Sequence, residues 1–277
     1  MGENIWSYLL YGFISGLGEL LPVSPTANGY LLQTLTQFDA RNPGLLLFIH
    51  LGCLIALILC YFRKIDHMRR EVRIVAQPAS RRKRQPDMTA VLDYRVIVAS
   101  LIPLLAGAVL SGTAYRKLAA LPLLSVLLVL GGVIVYIPQF LPGANKDSRL
   151  MSRKDSLILG FSGALGVIPG FSRIGTMISV GLMKGCDRSY ILDIAMLASV
   201  PFLLGMILVD VAMLIMAGVV LKGMFLLSCL MAMLAAFVGA WIAMLIMRYL
   251  SVESNFNAFA YFNWGVAVFA FLVYLVI

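Results

Sequence analysis

One arginine in the sequence stands in a setting that is suited to binding an anion. Arg173 follows Ser172 and lies between Gly170 and Gly175, in the segment PGFSRIG, which interrupts an apolar stretch. A charged side chain in such a stretch is costly unless it is paired or faces water, so its presence favours a functional role. Glycines let backbone N–H groups and a helix N-terminus approach an anion, and a guanidinium matches the geometry of phosphate. These residues therefore predict a phosphate-binding site.

A second group of polar residues interrupts another apolar stretch, around the segment PVSPTANG. It offers Glu19 as a carboxylate, Ser24 and Thr26 as hydroxyls, and Asn28 as an amide. Two interpretations stay open for Glu19 and Arg173. Either the two form an ion pair that only holds the segments together, or the pair belongs to an anion site, which is the interpretation we favour. Glu19 is also a candidate ligand for a divalent cation such as Mg²⁺ or Ca²⁺.

The composition indicates that both segments belong to a membrane protein. The 277 residues are 61% hydrophobic and 13% charged, with a mean hydropathy of +0.94. Soluble domains contain about 45–50% apolar and about 25% charged residues. The sequence predicts an all-α polytopic membrane protein with six transmembrane helices, because six apolar blocks approach or exceed the roughly 20 residues that cross a bilayer. These blocks are residues 45–62, 91–110, 121–140, 191–217, 224–247 and 259–277.

Two further apolar stretches, 5–35 and 157–183, are broken in the middle by proline, glycine and hydroxyl residues. Each half is too short to cross a bilayer alone. Broken backbone is tolerated at membrane depth only where it is buried in protein or lines a water-filled cavity. We therefore expect two re-entrant helical hairpins whose tips, at Ser24 and Ser172, meet inside the membrane.

The two hairpins resemble each other, which predicts an internal repeat. The segment GFISGLGELLP at 12–22 aligns with GFSGALGVIP at 160–169 if one gap is allowed, and three spans follow each hairpin. An odd number of crossings inverts the second copy relative to the first. We expect inverted-topology repeats at 1–140 and 141–277.

Charge in the loops predicts the orientation. Nine of the 22 lysines and arginines fall in the segment 63–86, so the positive-inside rule makes this loop cytoplasmic. No aromatic residue interrupts the basic run, and we therefore expect no nucleic-acid partner.

In these motifs the chain resembles the bacitracin-resistance family of undecaprenyl-diphosphate phosphatases, over essentially its full length. The matching residues are PVS at 22–24, PGFSR at 169–173 and Asp193, which lies eight residues ahead of Pro201. The resemblance implies Glu19, Ser24 and Arg173 as catalytic residues and Thr26 as a further candidate. It implies that the ligand is bound by Asn28, Gly170, Ser172, Gly175, Thr176 and Asp193. His50, which matches no motif position, is another candidate catalytic residue.

The departures from the family pattern affect acid–base chemistry. Ser15 stands where the family has a glutamate, Pro25 replaces a serine and Asn28 replaces a histidine; in the second motif, Ile174 and Met177 replace a serine and a threonine. Hydrolysis of a diphosphate needs a group that activates the nucleophile and one that protonates the leaving group. An amide cannot titrate. These departures therefore favour a chain that keeps the phosphate-binding site but has fewer groups for acid–base catalysis.

Other polar residues could restore catalysis. Thr176 could supply a hydroxyl, and Glu19 could act alone as a base. His50, the only histidine at membrane depth, could supply an imidazole, although a hydrogen bond to a neighbouring helix is the interpretation we favour. We expect Asp210, near the outer end of its span, to be exposed to solvent.

The predicted ligand is a lipid with a phosphate or diphosphate head between the hairpin tips and an isoprenoid tail in grooves between helices. Two functions stay open. The lost acid–base groups favour translocation of the polyprenyl (undecaprenyl) carrier, with weak or no hydrolysis; the resemblance implies an undecaprenyl-diphosphate phosphatase. An unrelated small-molecule transporter is the least favoured alternative. Either of the first two would serve recycling of the lipid carrier of cell-wall synthesis in a bacterial inner membrane, and a homodimer is compatible with both.

Overall fold

The computed structural model describes residues 5–36, 38, 41–78, 80, 82, 84–118, 120–143, 145–252 and 256–276, without the side chains of 112–117, 251 and 252. Within these residues the chain forms ten α-helices and no strand. The helices are α1 (Ile5–Leu20), α2 (Pro25–Thr36), α3 (Pro43–Ala76), α4 (Met88–Leu118), α5 (Leu121–Tyr136), α6 (Arg153–Ala164), α7 (Arg173–Met183), α8 (Arg188–Met216), α9 (Gly223–Val252) and α10 (Ala258–Val276).

Six of these helices are long and apolar enough to cross a membrane: α3, α4, α5 with the 3₁₀ turn that follows it, α8, α9 and α10. Large apolar side chains lie on the outside of the bundle, among them Ile102 and Leu208, which are 76% and 71% exposed. Such a surface suits lipid rather than water. The prediction of an all-α, multi-pass membrane protein is confirmed.

Helix α3 is longer than its apolar block. It includes residues 63–76 of the basic segment 63–86, which was predicted to be a loop. Its 34 residues span about 51 Å at 1.5 Å per residue, whereas the hydrocarbon core is about 30 Å thick. The protruding turns are held by charge pairs, including Arg69 with Asp66 at 2.6 Å and Arg84 with Glu71 at 2.5 Å. Residues 79, 81 and 83 of the predicted loop lie outside the described residues.

Each broken segment forms a pair of short helices, α1 with α2 and α6 with α7. Helix α2 begins at Pro25, because Ser24 caps it: the Ser24 Oγ accepts a hydrogen bond from the N–H of Ala27 at 3.2 Å. A proline is favoured at the first helical position, where its missing N–H costs nothing. Ser172 caps α7 in the same way, through the N–H of Gly175 at 3.1 Å.

Helix α1 packs closely on α9 through small residues. A methyl group built on Gly16 would lie 2.8 Å from the Cα of Ala236, and one built on Gly12 would lie 2.9 Å from the Cα of Ala232. Helices in membranes associate through such close backbone approach. Glycine at 12 and 16 therefore sets the position of α1, which carries Glu19 at its C-terminal end.

The remaining helices pack in matched pairs. Helix α6 packs along α4, α3 along α8, and α5 along α10. One continuous apolar core runs through the bundle and includes Leu57 of α3, Ile194 of α8 and Met244 of α9. This core includes Leu20 and Val23 at the first break and Ile174 just after the second.

Candidate functional site

Two serines join the two breaks. The Oγ of Ser24 accepts a hydrogen bond from the N–H of Gly170 at 3.0 Å. The hydroxyl of Ser172 donates to the carbonyl of Leu21, also at 3.0 Å. Both serines are buried and each also caps its own helix. The tips of the two broken segments therefore meet, as the sequence predicted.

The guanidinium of Arg173 contacts three residues at this junction. Its Nη2 donates to the Oε1 of Glu19 at 2.8 Å and to the Glu19 carbonyl at 3.1 Å. Its Nη1 donates to the hydroxyl of Ser199, and its Cζ lies 4.3 Å from the ring centroid of Phe202. Arg173 is only 5% exposed. These contacts explain how a cation is tolerated at this depth, because a buried charge requires a partner and hydrogen bonds.

A cavity of about 270 Å³ lies beside this ion pair. Its polar lining carries both signs of charge: Tyr11, Ser15, Glu19, Thr26, Tyr30, Arg41, His50, Ser111, Arg173 and Asp210. Its apolar lining includes one side of α8, with Phe202, Met206, Val209 and Met213. A polar floor with an apolar wall suits an amphiphile whose head is anionic and whose tail is a hydrocarbon.

A second buried pair of ionisable side chains lines the same cavity. The Nδ1 of His50 lies 2.5 Å from the Oδ2 of Asp210, and the two residues are 7% and 4% exposed. The expectation that Asp210 is exposed to solvent is wrong, because helix α8 continues to Met216 and turns Asp210 toward α3. The signal that could have identified it is a single carboxylate within a long apolar helix, which in a membrane requires a partner.

Of the residues predicted for the site, only some line the cavity. Glu19, Thr26, His50 and Arg173 do so. The others do not form part of its lining. These are Ser24, Asn28, Gly170, Ser172, Gly175, Thr176 and Asp193.

Most of the predicted residues that do not line the cavity stabilise the junction between the two breaks. The Oγ1 of Thr176 lies within 3.0 Å of three backbone carbonyls, those of Ser162, Ser172 and Arg173. Gly170 adopts a φ of +101°, a conformation that residues with a Cβ rarely take. A hydroxyl or glycine in these positions shapes the backbone around Arg173.

Asp193 belongs to a separate cluster beside the middle of α3. Its carboxylate accepts a hydrogen bond from Lys64 Nζ at 2.7 Å and another from Tyr61 at 3.1 Å. The side chains of Lys64 and Asp193 are about one third exposed. The structure therefore does not bring Asp193 to the cavity.

The start of α6, which leads to the second break, is fixed by a capping box. The Oγ of Ser152 accepts from the N–H of Asp155 at 3.1 Å, and the Asp155 carboxylate accepts from the N–H of Ser152 at 3.2 Å. Lys146 Nζ lies 2.7 Å from the same carboxylate. The hydrogen bond from Lys146 lowers the pKa of Asp155 to about 2.

No three His, Cys, Asp or Glu side chains are grouped to hold a metal within the part of the chain that the structure describes. A divalent cation in the cavity would therefore rely on Glu19 and on the oxygens of a bound phosphate. Magnesium is commonly held in this way, by one or two carboxylates together with substrate phosphates and water.

Comparison with known proteins identifies the family. A family model described as "Bacitracin resistance protein BacA" matches residues 8–269. The "Undecaprenyl-diphosphatase" of Methanobrevibacter smithii is 27% identical over 97% of each chain. The "Undecaprenyl-diphosphatase 2" of Halalkalibacterium halodurans is 25% identical over 98% of this chain and 96% of the relative, and the "Undecaprenyl-diphosphatase" of Sinorhizobium fredii is 31% identical over 75% of each. Since the family match covers nearly the whole chain, this protein belongs to the BacA bacitracin-resistance family, as a divergent member.

Proposed function

We propose that this chain is an undecaprenyl-diphosphatase, which hydrolyses undecaprenyl diphosphate to the monophosphate and inorganic phosphate. The observation that carries the proposal is the Glu19–Arg173 ion pair, 2.8 Å long, on the polar side of a cavity with an apolar wall. The relatives named above bear this activity in their names. The role is recycling of a lipid carrier in the bacterial inner membrane.

The chemistry of the cavity supports a lipid diphosphate as the ligand. The guanidinium of Arg173 can exchange part of its contact with Glu19 for phosphate oxygens, which it matches as a planar fork. Thr26, in the first turn of α2, lines the cavity and can donate its hydroxyl to a phosphate oxygen. The hydrocarbon tail would lie along the apolar side chains of α8, from Phe202 to Met213.

The position of the cavity supports an outward-facing site. Its lining includes Pro43 at the start of α3, Ser111 toward the end of α4 and Asp210 toward the end of α8. These three positions lie at the end of the bundle opposite the basic segment 63–86. If that segment is cytoplasmic, as the positive-inside rule predicts, the diphosphate is bound from the outer side of the membrane.

Translocation without hydrolysis, which the lost acid–base groups favoured, finds no support in the names of the relatives. The packing does support the division into inverted repeats at 1–140 and 141–277. In such a duplication α6, α8, α9 and α10 of the second half are the counterparts of α1, α3, α4 and α5 of the first. The packing of α1 on α9 then corresponds to the packing of α6 on α4, and α3 packs on its own counterpart, α8. We propose that this duplicated scaffold serves to hold the two tips together.

The test is phosphate release from undecaprenyl diphosphate by the purified chain, with Mg²⁺, with Ca²⁺ and with a chelator. We expect release well above that of the Arg173→Ala variant under at least one condition. The three conditions also decide whether Glu19 works with a cation. No release in any condition, together with transport of a lipid phosphate across vesicles, would contradict hydrolysis and support translocation.

A further inference from the structure

The buried hydrogen bond between His50 and Asp210 is a costly feature for a membrane bundle to carry. Both side chains are buried, and they come from α3 and α8, 160 residues apart. A buried carboxylate with one hydrogen-bond partner contributes little to stability compared with apolar residues of the same volume, because its desolvation offsets the attraction. In a membrane helix an ionisable pair at depth is by default a sign of function. The pair also lines the cavity that holds Glu19 and Arg173.

Hydrolysis in this cavity requires a group that accepts a proton from water. The carboxylate of Glu19 is already bound to the guanidinium of Arg173 at 2.8 Å. Asn28 cannot titrate and does not line the cavity. Thr26, Ser15 and the tyrosines of the lining are weak bases. Among the described residues of the lining, His50 is the only imidazole.

The geometry of the pair leaves one ring nitrogen for a ligand. Nδ1 of His50 is bound to Asp210, and within the described chain no hydrogen bond involves Nε2. A carboxylate bound to Nδ1 fixes the ring orientation and the tautomer, with the proton on Nδ1 and a lone pair on Nε2. The same carboxylate stabilises the imidazolium that forms when Nε2 takes up a proton.

We propose that His50 is the general base of diphosphate hydrolysis and that Asp210 is its positioning residue; this rests on the proposed phosphatase function. Nε2 of His50 takes a proton from a water molecule while the water oxygen forms a bond to the terminal phosphorus. The bond from that phosphorus to the bridging oxygen breaks, and its electron pair stays on the bridging oxygen of the lipid monophosphate. The imidazolium then returns its proton to the departing lipid monophosphate, which restores His50.

Chemical rescue tests the role of His50. A general base typically contributes about 10²–10⁴-fold, so we expect His50→Ala to lose about that factor in kcat for phosphate release. Added imidazole should restore part of the activity, because it can enter the space that the side chain left. A purely structural histidine would not be rescued in this way. His67→Ala is the matched control, since His67 lies on the protruding end of α3 and binds Asp87 at 3.0 Å.

The role of Asp210 is tested by separating kcat from KM. We expect Asp210→Asn to lower kcat at least about tenfold, with KM within about twofold, since the ring of His50 loses its orientation but Arg173 still binds phosphate. Imidazole should not rescue this variant. Asp66→Asn is the control, because Asp66 pairs only with arginines at the protruding end of α3.

A double variant, His50→Leu with Asp210→Leu, tests the same roles in a protein that we expect to fold. It removes both polar side chains together, so no unpaired carboxylate is left at depth. We expect it to fold, bind lipid phosphate and release no phosphate above background. Activity in this variant near that of the wild type would overturn the inference while leaving the phosphatase function intact. If the wild-type chain itself released no phosphate, the proposed function would fail first.

Discussion

The hydroxyl oxygen of Ser24 accepts a hydrogen bond, 3.0 Å long, from the N–H of Gly170, which lies 146 residues away in the sequence. Ser172 makes the reciprocal contact, donating to the carbonyl of Leu21. Both hydroxyls also cap the helix that follows them, and neither lines the cavity. The two serines therefore hold the tips in contact, and through them the position of Arg173 beside Glu19.

The first prediction concerns stability at this junction. Ser24→Ala removes a helix cap, which contributes about 0.5–2 kcal/mol, and a buried hydrogen bond, which contributes about 0.5–1.5 kcal/mol. We expect the thermal midpoint in detergent to fall by several degrees, while folded protein keeps measurable phosphate release. Ser172→Ala should behave alike. Complete loss of turnover in Ser24→Ala with an unchanged midpoint would instead make Ser24 a nucleophile.

The second prediction concerns Arg173. A hydrogen bond to a charged group is worth about 1.5–3 kcal/mol, so Arg173→Ala should lower kcat/KM for phosphate release about tenfold or more. Arg173→Lys should fall between, because an ammonium keeps the charge but lacks the planar fork. Arg248→Ala is the matched control, since Arg248 lies over the ring of Tyr61 at the other end of the bundle. Full activity in Arg173→Ala would place the phosphate elsewhere.

Much of the fold could be predicted because the hydropathy and the length of each apolar block can be read directly from the sequence. The six spans and both breaks follow from runs of apolar residues and from proline and glycine clusters. The helix starts were less certain, because Ser24 and Ser172 become caps only once the following turn forms. The length of α3 was missed, since its protruding turns are stabilised by charge pairs such as Glu71 with Arg84 rather than by apolar residues.

The site was predicted in part for a related reason. Sequence order indicates which residues share a break, but the rotation of each helix decides which side chain faces the cavity and which faces a neighbour. Thr26 and Arg173 face the cavity, whereas Thr176 faces backbone carbonyls. The His50–Asp210 contact joins two helices whose packing no local pattern encodes.

The third prediction is a pH dependence of stability at the start of α6. Lys146 lowers the pKa of Asp155 to about 2, below the ordinary value of about 3.9. A carboxylate with a lowered pKa stabilises the fold fully above its unfolded pKa and loses that contribution as pH falls through the folded value. The thermal midpoint of the wild type should therefore exceed that of Asp155→Asn by a constant amount between pH 5 and pH 8.

Below about pH 4 the difference between these two midpoints should shrink, and most of it should be lost by about pH 2, where half of the Asp155 carboxylates in the folded protein are protonated. Asp147→Asn is the control, because the Asp147 carboxylate accepts a hydrogen bond from the backbone N–H of Arg149 rather than from a lysine. A difference that persisted in full at pH 2 would show that the charge of Asp155 is not the source of the stability.

The fourth prediction is the orientation in the membrane. In a chain whose four cysteines (Cys53, Cys60, Cys186 and Cys229) are replaced by serine or alanine, Ser80→Cys should react only with reagents that reach the cytoplasm. Val220→Cys, in the turn between α8 and α9, should react from outside the cell. Both sites are exposed. Labelling of position 80 from outside would reverse the orientation and move the cavity to the cytoplasmic side.

The last prediction adds a carboxylate to the cavity. Ser15 is buried, lines the cavity and lies one helical turn before Glu19 on α1, so residues 15 and 19 share a face. In Ser15→Glu two carboxylates would repel each other unless a cation lies between them, and such a pair together with diphosphate oxygens is a favourable site for Mg²⁺ or Ca²⁺. We expect phosphate release by Ser15→Glu to rise with added divalent cation and to be more sensitive to a chelator than that of the wild type. Ser15→Gln, with the same size and no charge, should show neither effect; an equal response of both variants would mean that size, not charge, acts at this position.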